Sequence, residues 1–195
     1  RDLHLSIRRQ RQMCIRDRFI DADVEFEPEC PLRMVVAQKD IVCTPYRVKT
    51  NDPKVIRYTT SVPDNDNVKV LPGGLVELTR GPSGMMLIHR RVFETLQKNR
   101  PDLEIQAHQH VDLFPEGVKI FSFWDCIFKD GKWTGDDIAF CNLATENGFK
   151  LYANIESTMV HHGAYGYKGR FGDGLIDKNE KYFFLLNNDK VVFYH

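Results

Sequence analysis

Two aspartates one residue apart, Asp21 and Asp23, directly follow the apolar pair Phe19 and Ile20. Carboxylates projecting from a strand end at that spacing are hard oxygen ligands suited to Mg²⁺ or Mn²⁺, and such a cation can neutralise a diphosphate. The same spacing also occurs in ordinary surface turns. A second acidic pair, Asp136 and Asp137, follows Gly135 at the start of a segment with helical periodicity. A carboxylate there could act as a general base. Helix chemistry explains it equally well, with Thr134 or Asp136 as N-cap and acids in the first turn favoured by the macrodipole. His161 and His162 precede Gly163, where an imidazole either completes a metal site or is a surface residue. Trp124 and Trp133 flank the loop before the second acidic pair. An indole there could stack on a sugar, although Trp124 reads first as strand core packing.

These residues need elements to hold them. Phe19 and Ile20 close a buried strand, and Asp21 to Glu25 form the polar turn at its carboxyl end. Pro28 opens a helix over residues 28–37 with Leu32, Val35 and Val36 as its apolar face. Strands are expected at 41–48, 75–78, 85–89, 119–128 and 150–155, and helices at 90–98 and 136–147. The last of these buries Ala139, Phe140, Leu143 and Ala144 and stops at Gly148 in the C′ position. Residues 49–70 are rich in Asn, Asp, Pro and Thr and read as a long loop, as do 161–174. Residues 99–117 show no clear period, with a short strand at most, and 182–194 read as a hairpin turning at 187–189. Strands mixed with helices at this spacing predict an α/β sandwich that binds ligands at the carboxyl ends of its strands.

The chain has 195 residues, 42% of them hydrophobic, which suits one domain with a substantial core. Lysine plus arginine and aspartate plus glutamate each number 27, so no global field draws nucleic acid or an anionic membrane, and an acidic ligand must be held locally. No apolar run approaches the roughly 20 residues of a transmembrane helix. The five cysteines form no C-x-x-C pair, which predicts neither a zinc ribbon nor a disulfide framework and fits a cytoplasmic setting. Charge is uneven. Residues 1–18 hold six arginines and two aspartates, a net +4 that leaves −4 for the rest. Their run QMCIRDR resembles translated sequencing-adaptor sequence that recurs at the ends of metagenomic reading frames, so residues 1–18 are expected to be a non-native leader.

Taken in order, the segments FIDADVEF, GPSGMMLIHRRVF and GDDIAFCNLATENGFKLYANIESTMVHHGAYGYKG resemble the corresponding parts of bacterial and phage GT-A glycosyltransferases of the family-2-like kind. The similarity covers most of 19–171, is weakest across 49–70 and 99–117, and ends near Gly174. It implies a GT-A domain over 19–174, an α/β/α sandwich with a mixed sheet, followed by an extension over 175–195. It further implies that Asp23 binds a Mn²⁺ or Mg²⁺ ion bridging the diphosphate of a nucleotide-sugar donor, with Asp21 close to the ribose or the metal and His161 as the third metal ligand. Asp137 becomes the general base on the hydroxyl of an acceptor, expected to be a glycan, and transfer inverts the anomeric centre. Asp136 stands where the family usually has Glu, which bears on acceptor positioning. Gly81, Ser83 and Gly84 match a tight turn at which the backbone approaches the donor sugar, a use open to residues lacking a Cβ; an ordinary hairpin turn explains them equally.

Only twenty residues precede Asp21, whereas a βαβ unit takes roughly 30 or more. The expectation is therefore a GT-A domain without its nucleotide-binding front half, inactive as it stands. Two other readings share the motifs: a metal-dependent nucleotidyltransferase, and a non-catalytic carbohydrate-binding remnant.

Overall fold

A computed structural model describes residues 15–52, 54–64, 67–105, 117–178 and 181–184, with the backbone alone for 176–178 and 181–184. Its centre is a six-stranded sheet in the order β1-β6-β3-β9-β5-β4, formed by β1 (Arg16–Ile20), β3 (Ile41–Cys43), β4 (Val70–Leu71), β5 (Leu75–Leu78), β6 (Met85–His89) and β9 (Leu151–Asn154). The β3–β9 pair is parallel and the other four pairs are antiparallel, so the sheet is mixed and the fold is α/β.

Side chains alternate across this sheet, and both of its faces are buried. Ile41, Cys43, Val76, Leu78, Met86, Ile88, Leu151 and Ala153 face one core, with Val92 and Leu96 of α2 (Arg90–Asn99) and Phe140, Cys141, Leu143 and Ala144 of α3 (Asp136–Glu146). Val42, Leu75, Met85 and Leu87 face the other core, with Cys30 and Met34 of α1 (Cys30–Val36) and Val24 and Met159 of a small sheet in the order β11-β10-β2. That sheet consists of β2 (Val24–Phe26), β10 (Thr158–His162) and β11 (Gly166–Arg170). The result is three layers. Among the described residues, no helix is long and apolar enough to cross a membrane.

Several elements depart from the expectations. Helix α1 is turned over: Cys30 and Met34, four residues apart on one face, are buried, while Leu32, Val35 and Val36 are exposed. Arg33 sets this rotation by donating to Ser157 Oγ at 3.0 Å and pairing with Glu27. The run 119–128 is largely irregular, because the neighbours Phe123 and Trp124 both pack inward, which a strand forbids. Trp124 stacks on Phe140 at 4.2 Å between centroids and Phe123 stacks on Phe93 at 5.9 Å. Its end enters instead a surface hairpin of β7 (Ile127–Lys129) and β8 (Lys132–Thr134). Most of the loop expected over 161–174 is the β10–β11 hairpin, whose Gly-Tyr-Lys-Gly-Arg strand lacks the apolar alternation that marks strands. The C-terminal pairing joins β12 (Leu175–Lys178) to β13 (Lys181–Phe184), and the turn expected at 187–189 lies outside the described residues.

Strand β1 begins at Arg16, inside the segment assigned to a leader. Arg16, Asp17 and Arg18 pair with His89, Ile88 and Leu87, and Arg16 donates to the Lys39 carbonyl at 2.6 Å. An edge strand is held through its backbone, so polar side chains can occupy it without cost to the ladder.

Candidate functional site

The site gathers where β1 ends. The backbone N–H of Asp21 donates to the carbonyl of Gly84 at 2.9 Å, which brings the Asp21-Ala22-Asp23 turn against the Gly81 to Gly84 turn that leads into β6. A Cβ added at Gly84 would lie 2.7 Å from Asp21 Cγ and would also overlap the Tyr46 hydroxyl, so this glycine is required for the two turns to meet. Tyr46 donates to Asp21 Oδ2 at 3.3 Å and packs its ring edge against His161 at 4.7 Å.

β10 pairs with β2, placing His161 opposite Val24 and His162 N–H on the carbonyl of Asp23 at 2.8 Å. His161 Nδ1 lies 2.8 Å from the carbonyl oxygen of Arg47. A carbonyl only accepts, so Nδ1 carries the proton and donates, which turns Nε2 toward Asp23 Oδ2 at 3.6 Å. Lys49 is the other partner of that oxygen; its ammonium pairs with Asp23 and its stem crosses the bare backbone of Gly163. The Lys49 hydrogen bond holds the Asp23 carboxyl below its usual range. His162, by contrast, faces outward onto Glu25 at 2.9 Å.

The same Gly81 to Gly84 turn also meets the first turn of α3, through Ser83 and Asp137. The N-cap of α3 is Gly135, which offers no side-chain bond, so neither Thr134 nor Asp136 caps the helix. Asp136 is exposed, whereas Asp137 is partly buried and accepts a hydrogen bond from the Ser83 hydroxyl. Burial raises the Asp137 carboxyl above its ordinary value against the lowering effect of Ser83, and the charges of Asp136 and Asp21 push the same way as burial. Burial also raises the Tyr46 phenol, followed by the charges of Asp21, Asp137 and Asp23. One tyrosine thus feels all three carboxylates.

Ser83 and Gly84 therefore belong to this crevice. Gly81 has a packing role: a Cβ there would lie 2.5 Å from Cys43 Sγ, and its N–H and carbonyl meet Cys141 Sγ at 3.5 and 3.4 Å. Both thiols are buried and raised in pKa by that burial. Sequence reading did not single out Tyr46 or Lys49. Their only signal is alternation in an extended stretch, which separates sides of the chain without naming partners.

A divalent cation can be tested against the donors. Asp23 Oδ2 and His161 Nε2 face each other, and a carboxylate with a neutral imidazole is a donor pair that Mn²⁺ or Mg²⁺ accepts. Asp21 does not complete the set, since its carboxylate is turned to Tyr46. Among the described residues, no group of three His, Cys, Asp or Glu side chains is placed to hold a metal ion. The described residues thus offer at most two donors, Asp23 and His161, to a cation.

No protein-family model matches the chain, and no curated protein does. Among solved structures, the chain is similar to the crystal structure of A197 from STIV, with 16% identity over 98% of this chain and 75% of that one, at a TM-score of 0.42.

Proposed function

We propose that the chain carries the metal-binding and proton-accepting residues of a metal-dependent glycosyltransferase, an activity that moves a sugar from a nucleotide-diphosphate donor to an acceptor hydroxyl with inversion. The observation that supports this reading is that Asp23 and Asp137 both act by their charge on the Tyr46 phenol, which brings two chemically different groups near one tyrosine. Asp23 with His161 forms a cation-binding wall, and the partly buried, raised carboxyl of Asp137 forms a proton-accepting wall.

Asp23 and His161 hold the cation, with Mn²⁺ or Mg²⁺ supplying positive charge to the departing diphosphate when bound. His161 is oriented for this by its bond to the Arg47 carbonyl. Lys49 pairs with the same carboxylate and competes with the cation for it. Asp137, held by Ser83, accepts the proton of the attacking hydroxyl, and a raised pKa strengthens it as a base near neutral pH. The bare backbone of Gly84 lets Asp21 and the Tyr46 hydroxyl pack against the turn.

Calorimetry with nucleoside diphosphates tests the reading, with and without Mn²⁺, beside product analysis with nucleotide sugars. Metal-dependent diphosphate binding that Asp23→Asn and His161→Ala both weaken is expected. Asp137→Asn should leave that binding intact and, in a chain fused to a nucleotide-binding front half, abolish transfer. Diphosphate binding indifferent to chelator refutes the metal role, and release of pyrophosphate in place of nucleoside diphosphate identifies nucleotidyl transfer.

A further inference from the structure

The cleft on the far side of Asp137 has its own wall. β7 and β8 are closed by Asp130 and Gly131 with φ of 53° and 73°, the left-handed pair of a two-residue hairpin turn. Their register sets Phe128 opposite Trp133, so both rings stand on one face of the ribbon, and they are 75% and 69% exposed. An indole this open needs a reason. A Cβ added at Gly135 would lie 3.3 Å from Trp133 Cη2, so the ring rests on bare backbone at the N-cap of α3, two residues before Asp137.

That ring also lines a cleft of about 790 Å³ shared by Arg80, Asp136, Asp137 and Asn142. The volume falls in the range of roughly 300–1,000 Å³ typical of small-molecule sites. Its chemistry combines one flat aromatic face with guanidinium, amide and carboxylate groups. A pyranose presents the complement, an apolar C–H face and a rim of hydroxyls that both donate and accept.

We propose that this cleft is a carbohydrate-binding subsite that takes the acceptor glycan, with a sugar ring on the Trp133 indole and its hydroxyls bonded by Arg80 and Asn142. Sugar binding here stands on the cleft alone; the word acceptor rests on the transferase reading. Lys129 and Lys132, paired at the hairpin tip, would also suit an anionic membrane surface. The indole lines the cleft, which favours the sugar.

The test screens the full chain on a broad glycan array, then titrates the best-retained glycan by intrinsic fluorescence in chelator and without nucleotide. Retention is expected, with Trp133→Ala weakening it by about tenfold, the upper worth of one ring contact. Trp133→Phe should keep most of the affinity, and both variants should melt as the parent does. Absence of any retained glycan, equal binding by Trp133→Ala, or retention only on anionic phospholipid vesicles overturns the subsite. Mn²⁺-dependent diphosphate binding, measured on the same preparation, separates the two readings. Glycan binding without diphosphate binding sinks the transferase alone, and the converse sinks the subsite alone.

Discussion

Replacing Gly84 by alanine tests the packing that holds the two turns together. Its φ is not in the left-handed region, so the effect is one of space. The new Cβ would stand 2.7 Å from Asp21 Cγ, where carbon atoms in contact prefer about 3.5–4.0 Å, so something must move by about 1 Å. Asp21 is exposed and can rotate away, but Tyr46 is 4% exposed and wedged against His161, so its hydroxyl cannot yield cheaply. Overpacking of this kind costs about 1–3 kcal/mol. Tyr46→Phe alone should cost no more than about 0.5 kcal/mol, because the 3.3 Å bond to Asp21 is long for an O–H···O contact. In the double variant the phenyl ring no longer meets the new methyl with an oxygen, so the pair should cost about 1 kcal/mol less than the sum of the singles. Urea unfolding measures this, and Gly84→Ala should lower the midpoint by about 1 M at unchanged slope. A Gly84→Ala midpoint equal to the parent's, or strict additivity with Tyr46→Phe, would show that the turn does not pack as described.

Three further outcomes follow from the same geometry. Asp137 has a folded-state pKa above its unfolded value, so its contribution to stability is present at low pH and is lost as pH rises through the raised value. Asp137→Asn should therefore raise the melting temperature at pH 7, with the gain vanishing below about pH 4, and a difference that is flat with pH refutes the burial argument. Lys49→Met should tighten Mn²⁺ binding, read by the loss of free-ion paramagnetic resonance signal, by up to about fivefold, since an exposed ion pair is all that the metal must displace. Unchanged or weaker binding would mean that Lys49 does not compete for Asp23. Starting the chain at Phe19 in place of Ile15 should lower the melting temperature by several degrees, because β1 loses three of its five pairs with β6. An unchanged melting temperature would leave Phe19, packed 4.8 Å from Trp124, as the part of the strand that matters.

What the sequence alone determined is what short-range chemistry encodes. The helix of Asp136–Glu146, with Ala139, Phe140, Leu143 and Ala144 buried and Gly148 at φ 85°, is written in periodicity and a stop signal within a dozen residues. The mixed α/β class follows similarly from the alternation of apolar strands and helices. The acidic and histidine motifs drew attention to Asp23, His161 and Asp137 but not to Tyr46 or Lys49, which contact or neighbour them. Local pattern failed wherever rotation or partnership is set from a distance. Leu32, Val35 and Val36 make as good an apolar stripe as Cys30 and Met34, and the choice between them lies with Arg33 reaching Ser157, 124 residues away. The aromatics Phe121, Phe123 and Trp124 look like a strand until two helices take the Phe123 and Trp124 rings inward. Most of the site's logic is of this second kind. Asp21 and Asp23 are neighbours in sequence, yet one is turned to Tyr46 and the other to Lys49 and His161, because Gly84 abuts one side of their turn and β10 pairs with the strand that follows it. Ligand type is a property of the residue, and which carboxylates share a partner is a property of the strands that meet there.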